Sequence, residues 1–431
     1  MREDQNTEKS YVLKGNICYS ENKDTIHAIP NGYAVCVDGV SQGVFSKLPQ
    51  QYQNLNMIDC KDHLIIPGIT DLHVHAPQYQ FRGLGMDMEL LDWLNTHTFP
   101  EEAKYREMEY AKKSYQMFVD ELKNGATTRA CIFATIHLPA TKLLMDLMEE
   151  SGLVSFVGKV NMDRNSPDYL VEETSESAQN TRTWIEDAIK RYQNTFPILT
   201  PRFTPSCSDE LMRELSEIQK EYHLPVQSHL SENYSEIAWV QELCPNTEFY
   251  GDAYDQFGMF GGDTKTVMAH CVHSGEAEQH RIRERGVFIA HCPESNINLA
   301  SGVAPVKKYL QDGQKIGLGS DVAGGSTTSM FVAMRQAIQA SKLRWRLKDE
   351  SLRPLTVAEV FYMATKGGGE FFGKVGSLEK GYAFDALVID DGKWNVPGKY
   401  QVADRLERMI YLADEQSIVK KYVDGRQIID R

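Results

Sequence analysis

Short apolar runs alternate with longer segments of helical periodicity between about residue 64 and residue 372. Most of the short runs are continuously apolar, which is typical of parallel strands that helices cover on both faces. The eight candidate strands are LIIPGITDLH, TTRACIFAT, LVSFVGKV, FPILTPRF, PVQSHL, TVMAH, GVFIAHC and KIGLGSD. Eight strand–helix units in series predict an α/β protein with a (β/α)8 barrel of the TIM type. An open doubly wound sheet is the alternative, because a count of strands does not show closure.

The segments between these runs have the period of amphipathic helices. The clearest helix is predicted over 101–124, before Gly125, because apolar side chains recur there every three or four positions at Tyr105, Met108, Ala111, Tyr115, Phe118 and Leu122. A second apolar stripe consists of Leu211, Leu215, Ile218 and Tyr222. A third helix is expected to begin with a capping box formed by Thr356 and Glu359.

The two ends of the chain have the pattern of hairpins. Short strands flank Asp38-Gly39 near the amino terminus and Asp424-Gly425 near the carboxyl terminus, and Asp-Gly is a favoured two-residue hairpin turn. We therefore expect one small β-sandwich domain built from residues 1–66 and 373–431, with the barrel at residues 67–372. The long connections 76–100 and 242–265 are expected to be lids or binding loops.

Composition and charge restrict the class of protein. The chain has 431 residues, of which 42% are hydrophobic and 25% charged, as in ordinary globular proteins. Its net charge of −14 repels phosphate backbones and anionic lipids, so neither nucleic acid nor membrane is an expected partner. The chain starts without an apolar leader and lacks an apolar run long enough for a membrane helix, which predicts a cytoplasmic protein. Eight scattered cysteines without a Cys-x-x-Cys pair predict reduced core thiols.

Metal-binding residue types follow several candidate strands. His73 and His75 lie two apart at the end of the first strand, so both imidazoles can point to one side. His229 ends the fifth strand, His270 ends the sixth, and Asp321 follows the eighth. Any one of these histidines alone would most simply be a hydrogen-bonded structural residue. Together they meet at the barrel mouth and predict a site for Zn²⁺, with Fe²⁺ and Mn²⁺ as alternatives.

Further polar residues accompany these strand ends. Glu232 lies three residues beyond His229 and is a candidate general acid/base, the alternative being a first-turn glutamate favoured by the helix dipole. Arg202 and Phe203 end the fourth strand, where a cation and an aromatic ring suit a planar substrate with a carbonyl oxygen. A surface arginine and a core phenylalanine are the alternative. His291, after the seventh strand, is a candidate pocket residue.

The segments PGITDLHVH, SHLSEN, MAH, HCPESN and GLGSD resemble the metal-binding strand ends of the amidohydrolase superfamily. Within it, HAPQY, DWLNTHTFP, PRF and DVAGG are similar to segments of the guanine deaminases. The resemblance implies a metal-dependent barrel with a small β-sandwich, commonly a homodimer, that hydrolyses guanine to xanthine and ammonia.

The resemblance also assigns roles to individual residues. It implies one Zn²⁺ per subunit, or Fe²⁺, with the direct ligands His73, His75, His229 and Asp321. His270 is then either a further ligand or the residue that orients the attacking water. The implied guanine site consists of His75, Ala76, Pro77 and Gln78, with Arg202 and Phe203 opposite and His229, Glu232 and Asp321 beside the metal.

The implied chemistry is a pair of proton transfers. Asp321 accepts the proton of the attacking water, and Glu232 protonates the ring nitrogen beside the carbon that bears the amine. Gln78 and Arg202 recognise the purine carbonyl and ring N–H. Two alternatives remain open: the same chemistry on another ring (8-oxoguanine, an s-triazine or a deoxygenated purine), and a non-catalytic scaffold that keeps the barrel.

Overall fold

The computed structural model describes residues 9–394 and 398–431. Its strands are β1 Tyr11–Asn22, β2 Thr25–Val37, β3 Val40–Phe45, β4 Asn56–Pro67, β5 Ile69–His75, β6 Thr127–Phe133, β7 Val154–Gly158, β8 Val160–Asn161, β9 Thr195–Pro197, β10 Thr200–Pro201, β11 Val226–Leu230, β12 Thr266–His270, β13 Phe288–His291, β14 Lys315–Leu318, β15 Ala386–Ile389, β16 Ile418–Val423 and β17 Arg426–Asp430.

The helices alternate with the central strands. They are α1 Leu90–Trp93, α2 Phe99–Glu102, α3 Met108–Asn124, α4 Leu138–Ser151, α5 Thr174–Arg191, α6 Asp209–Tyr222, α7 Tyr234–Leu243, α8 Asp252–Asp255, α9 Glu276–Arg285, α10 Pro293–Asn298, α11 Val306–Gln311, α12 Met330–Leu347, α13 Val357–Tyr362 and α14 Val402–Leu412. In the described residues no helix combines the length and the apolar character needed to span a bilayer.

The strands from β5 to β14 pair in parallel. Chain neighbours are also sheet neighbours in the orders β5-β6-β7-β9 and β11-β12-β13-β14, while β8 pairs with β10. This sequential order differs from a doubly wound sheet, in which the strand order reverses. After β14, the Asp321 N–H donates to the His73 carbonyl at 2.9 Å and the His75 N–H donates to the Val322 carbonyl at 3.2 Å. The fold is therefore α/β of the TIM-barrel type.

Three predicted elements differ from the structure. Residues 64–67 belong to β4 of a different sheet, so the first central strand begins only at Ile69. The predicted strands at 153–160 and 196–203 are each divided into two short strands. In the second of these, Pro197 and Pro201 lack the N–H that a continuous ladder needs.

The predicted helix over 101–124 is also broken. The backbone at Glu107 is extended, and α3 begins only at Met108. The break lets the buried Tyr105 ring pack 4.7 Å from the Tyr115 ring, so tertiary packing overrides the helical period. Gly125 ends α3 with extended backbone instead of the left-handed cap typical of a terminal glycine.

Several local predictions are confirmed. Thr356 and Glu359 form the capping box of α13. The stripe on α6 is confirmed in part, because Leu211, Leu215 and Ile218 are buried while Tyr222 is only half-buried. The eight cysteines are buried free thiols.

The chain ends build a seven-stranded sheet in the order β17-β16-β15-β4-β1-β2-β3. Both termini contribute strands, as predicted, and they join in one hydrogen-bonded sheet. The two facing sheets of a sandwich and the domain limits 1–66, 67–372 and 373–431 stay predictions. Residues 1–8 and 395–397 of the predicted terminal domain lie outside the described residues.

The two Asp-Gly turns contact each other across this sheet. Asp38 and Gly39 have φ angles of 50° and 81°, and Asp424 and Gly425 have 47° and 72°, the left-handed pairs of type I′ hairpins. A Cβ on Gly39 would lie 2.6 Å from the carbonyl oxygen of Asp424. Glycine is therefore required at that turn both for its backbone angle and for the close approach of the second hairpin.

Candidate active site

Four histidines and one aspartate converge at the carboxyl ends of the central strands. His73 and His75 end β5, His229 lies near the end of β11, His270 ends β12, and Asp321 follows β14. Nε2 of His75 lies 3.1 Å from Nε2 of His73 and 3.3 Å from Nε2 of His229. Oδ1 of Asp321 lies 3.2 Å from Nε2 of His73 and 3.4 Å from Nε2 of His75. The structure thus brings the residues predicted from four separate strands to one place.

These separations fit a tetrahedral metal ion. Zinc–nitrogen bonds of about 2.0–2.1 Å place neighbouring ligand atoms about 3.3 Å apart. Nδ1 of His229 lies 2.6 Å from the carbonyl oxygen of Arg202, and since a carbonyl only accepts, Nδ1 carries the proton. Nε2 of His229 therefore presents a lone pair to His73 and His75. Lone pairs and a carboxylate that face one another at this distance are the donor set of a divalent cation.

Burial and charge favour the ligand forms of these groups. Burial and the neighbouring His73 lower the pKa of His75 and of His229 well below the usual histidine value, so both rings are neutral at pH 7. Burial acts to raise the pKa of Asp321, but the neighbouring His73, by its charge and its hydrogen bond, outweighs burial, and the pKa is lowered. Asp321 is therefore a carboxylate at neutral pH.

Residues absent from the sequence prediction hold these groups in place. Asp71, two residues before His73, accepts hydrogen bonds from the Ser320 N–H at 3.0 Å and the His73 N–H at 3.2 Å. Nδ1 of His270 lies 2.9 Å from Oδ1 of Asn296 on α10. The sequence pattern could have identified Asp71 as a site residue, because it alternates with His73 and His75 along one strand. No sequence pattern indicates Asn296.

Glu232 is buried in the connection between β11 and α7. Asn233 caps α7 and the helix begins at Tyr234, so Glu232 precedes the first turn and the helix-dipole alternative does not apply. Its Oε2 lies 3.3 Å from Nε2 of His270, and its Oε1 accepts a hydrogen bond from the Ser301 hydroxyl at 3.2 Å. Burial, followed by the charge of Asp321, raises its pKa well above the usual glutamate value. Burial thus favours the protonated form of Glu232, beside the ionised Asp321.

A pocket opens above this cluster. Gln78, Arg202 and Phe203, which the resemblance assigns to the substrate site, are among its lining residues, and α1 with the residue after it adds an apolar wall of Leu90, Trp93 and Leu94. The remaining lining residues are His75, His229, Glu232, Glu236, His270, Leu299, Asp321 and Gly324.

Four predicted or neighbouring residues have other surroundings. Ala76 and Pro77 are buried at the start of the turn that carries Gln78 and are not among the lining residues. His291 is buried outside the lining, and burial and then the charge of His270 lower its pKa to about 3. Cys292 is buried near the cluster, but its thiol donates to the Ala290 carbonyl at 3.5 Å.

One acidic residue that the sequence did not reveal contacts two lining residues. Glu102, at the end of α2, is buried, and its Oε1 accepts hydrogen bonds from Nε2 of Gln78 at 2.9 Å and from a terminal nitrogen of Arg202 at 3.1 Å. Its second oxygen accepts from the other terminal nitrogen of Arg202. The long connection after β5 thus reaches the end of β10 through one carboxylate.

Comparison with known proteins places this site in context. The model of the amidohydrolase family matches residues 64–428. The guanine deaminase of Dictyostelium discoideum is 36% identical over 97% of this chain and 98% of that protein. The guanine deaminase of Mus musculus is 41% identical over 84% of this chain and 82% of that protein.

Solved structures give the same result. The crystal structure of guanine deaminase from C. acetobutylicum with bound guanine in the active site has a TM-score of 0.95 and 47% identity, covering 97% of this chain and 100% of that one. E. coli guanine deaminase has a TM-score of 0.86 and 31% identity, covering 98% and 99%. The similarity therefore includes both the central strands and the terminal sheet.

Proposed function

The chain belongs to the amidohydrolase family, and from that premise we propose that it is a guanine deaminase, a hydrolase that converts guanine and water to xanthine and ammonia. The observation that carries this proposal is the pocket itself. A polar wall of Gln78 and Arg202 stands over a histidine–aspartate cluster, in a chain that is 47% identical to a guanine deaminase solved with bound guanine.

One Zn²⁺ per subunit would be held by His73, His75, His229 and Asp321. The support is the donor set of three imidazole nitrogens and one carboxylate oxygen at tetrahedral spacing, which suits Zn²⁺ and also admits Fe²⁺. Bound Zn²⁺ supplies Lewis acidity that lowers the pKa of water from 15.7 to about 7.

Three side chains around the metal transfer protons or orient the water. Asp321 is ionised and accepts the proton of the attacking water. Burial raises the pKa of Glu232 and favours its protonated form, which can donate to the ring nitrogen beside the carbon that bears the amine. Nε2 of His270 lies 3.3 Å from Glu232 and 3.7 Å from Oδ2 of Asp321, between the two carboxyl groups. We assign it the role of orienting the water, and the amine leaves as ammonia after protonation by Asp321 or Glu232.

The pocket wall selects the base. Phe203 and the side chains of Leu90, Trp93 and Leu94 exclude water and pack on the planar ring, and Arg202 donates to the ring carbonyl oxygen. Adenine has an amine where guanine has this oxygen, so the N–H donors of Arg202 would face the N–H donors of that amine. A buried donor left unpaired in this way discriminates by about 10⁴ or more.

The finer features of the architecture belong to the same proposal. These are a closed (β/α)8 barrel at residues 67–372, a β-sandwich from the two ends, a homodimer and a cytoplasmic location. The hydrogen bonds from Asp321 to His73 and from His75 to Val322 support closure, because they join the end of the last central strand to the first.

An ammonia-release assay on guanine, with and without a chelator, tests the function. We expect xanthine and ammonia in equal amounts, abolished by the chelator and restored by Zn²⁺. Parallel rates on 8-oxoguanine and an s-triazine test the substrate, and turnover of either that equals turnover of guanine would contradict the assignment. A zinc-free protein after expression with ample metal would favour the scaffold alternative.

A further inference from the structure

The carboxylate of Glu102 joins Gln78 and Arg202, which together form the polar wall of the pocket. Its side chain is 2% exposed and Arg202 is 3% exposed, so the charged pair is almost fully withdrawn from water. Among the described residues, Glu102 is the one acidic side chain in salt-bridge contact with the Arg202 guanidinium. Both oxygens of Glu102 accept hydrogen bonds, Oε1 from Gln78 and Arg202 and the second oxygen from Arg202.

This arrangement determines which atoms Gln78 and Arg202 present to a ligand. Glu102 accepts from the amide nitrogen of Gln78, and the amide oxygen of Gln78 accepts the Ala323 N–H at 3.1 Å. The two contacts together fix the orientation of the amide. One amide N–H of Gln78 remains, and of the five N–H groups of Arg202 those not directed at Glu102 also remain. The polar wall therefore offers hydrogen-bond donors to whatever lies beside it.

We propose that Glu102 is a positioning residue that determines specificity, by holding Gln78 and Arg202 as a wall of donors that accepts only a ring atom with lone pairs. This inference rests on the proposed function, because it takes guanine, with its carbonyl oxygen, as the preferred ligand. The wall rejects a ring that carries an amine in place of that oxygen, since donor would then face donor.

The location of Glu102 supports a role beyond packing. Phe99 and Glu102 lie on the same short helix, and the Arg202 guanidinium stands 5.2 Å from the centre of the Phe99 ring. One turn of helix thus contacts the guanidinium twice, by its carboxylate and by its aromatic ring. Without the carboxylate, the guanidinium keeps its charge and its burial but loses its one fixed orientation.

The experiment compares Glu102→Gln with Glu101→Gln in the metal-loaded protein. Glu101 is the adjacent buried glutamate, but it accepts from Lys104 at 2.6 Å and from Tyr110, away from the pocket. The two substrates are guanine and 2,6-diaminopurine, which keeps the 2-amino leaving group and has an amine at the carbonyl position. For Glu102→Gln we expect kcat/KM on guanine to fall about 10²-fold, mainly through KM, and kcat/KM on diaminopurine to fall less. The preference ratio, which is kcat/KM on guanine divided by kcat/KM on diaminopurine, should therefore fall at least about tenfold.

A preference ratio in Glu102→Gln equal to that of the wild type would overturn the proposal. The control variant Glu101→Gln should keep the wild-type preference ratio. A crystal structure of Glu102→Gln is the second measurement, in which Gln78 and Arg202 should have turned from their present orientations; unchanged orientations would contradict the role. If wild-type protein does not deaminate guanine, the proposed function fails, while the structural comparison still decides the positioning role. If Glu102→Gln does not fold, Glu102→Asp keeps the charge with a shorter reach and should narrow the ratio in the same direction.

Discussion

Nδ1 of His270 lies 2.9 Å from Oδ1 of Asn296, a contact that joins the end of β12 to α10. Because an amide oxygen only accepts, the Nδ1 atom carries the proton and Nε2 of His270 keeps its lone pair. That lone pair points toward Glu232 and Asp321, the two carboxyl groups to which we assign proton transfer. Asn296 thus determines the tautomer of a residue in the site from outside the set of candidate metal ligands.

Replacing this amide should impair catalysis without emptying the metal site. Asn296→Leu has similar volume but no acceptor, so His270 loses its fixed tautomer, and we expect kcat to fall about 10- to 100-fold. Zinc content, measured by elemental analysis, should stay at the wild-type level because His73, His75, His229 and Asp321 are untouched. Loss of zinc with the loss of activity would instead make His270 a metal ligand, and unchanged kcat would remove Asn296 from the mechanism.

Glu232→Gln removes the proton donor and keeps the shape of the side chain. We expect metal content to be retained and kcat to fall by about 10² to 10⁴, the range for a lost general acid/base. Glu370→Gln is the matched control, because Glu370 is paired with Lys315 at the opposite end of β14 and should have wild-type kcat. Full activity of Glu232→Gln would show that another group protonates the ring.

Metal removal should destabilise the protein as well as inactivate it. An ion that binds only the folded state contributes about 2.7 kcal/mol at a free concentration 100 times its dissociation constant. We therefore expect a chelator to lower Tm in a thermal melt and added Zn²⁺ to restore it. In His75→Ala the chelator should change Tm little. In His137→Ala, which lies outside the cluster, the chelator should lower Tm as much as in the wild type. Equal chelator effects in the two variants would argue against this site.

The strand ends could be predicted because their signals are local. His73 and His75 alternate along one strand, and His270 closes a short apolar run, so the sequence places each near the end of its strand. Parallel strands then bring such ends to one edge, whatever the length of chain between them. The same reasoning anticipated Arg202 and Phe203, which follow β10 and line the pocket.

Partners selected by packing could not be predicted in this way. Glu102 meets Arg202 across 100 residues and Asn296 meets His270 across 26, and no periodicity links either pair. Glu102 also lies in a segment that was expected to continue as one long helix. The break at Glu107 accompanies the packing of Tyr105 on Tyr115. Helix propensity depends on local sequence and does not predict such a tertiary contact.

Lys421 should make stability depend on pH in the alkaline range. It is buried and donates to the carbonyl oxygens of Leu122 and Lys123, and burial, together with the charges of Arg431 and Lys123, lowers its pKa well below 10.5, against the opposing charge of Asp385. Between the folded pKa and 10.5 the unfolded chain binds more protons, so the free energy of unfolding rises with pH.

Lys421→Met should flatten that rise in urea denaturation at alkaline pH below 10.5, the ordinary pKa of lysine. Lys420→Met is the control, since Lys420 pairs with Asp430 on the partly exposed side of the same strand. A slope in Lys421→Met equal to that of the wild type would mean that the buried lysine is charged in the folded protein.

Arg129 and Asp385 form the buried ion pair that fastens the terminal sheet to the central strands. Nε of Arg129, on β6, donates to Asp385 at 2.7 Å, and a terminal nitrogen donates to Asp385 at 3.1 Å and to Asp424 at 2.6 Å. The Asp385 side chain is fully buried, whereas that of Asp424 is 36% exposed. Removing one member of a buried pair leaves an uncompensated charge and costs about 3–5 kcal/mol.

Asp385→Ala should therefore lower the free energy of unfolding by about 3–5 kcal/mol in urea denaturation, more than twice the effect of Asp424→Ala, whose charge water can replace. The loss of unfolding free energy in Asp385→Asn should lie between the losses in Asp385→Ala and Asp424→Ala. The amide oxygen of the new side chain can still accept from Arg129 and from the Asp424 N–H. The double variant Arg129→Met with Asp385→Ala should recover part of the loss, since no buried charge remains unpaired. Equal effects of Asp385→Ala and Asp424→Ala would show that the exposed contact carries the attachment, and no recovery in the double variant would show that the pair acts through packing instead of charge.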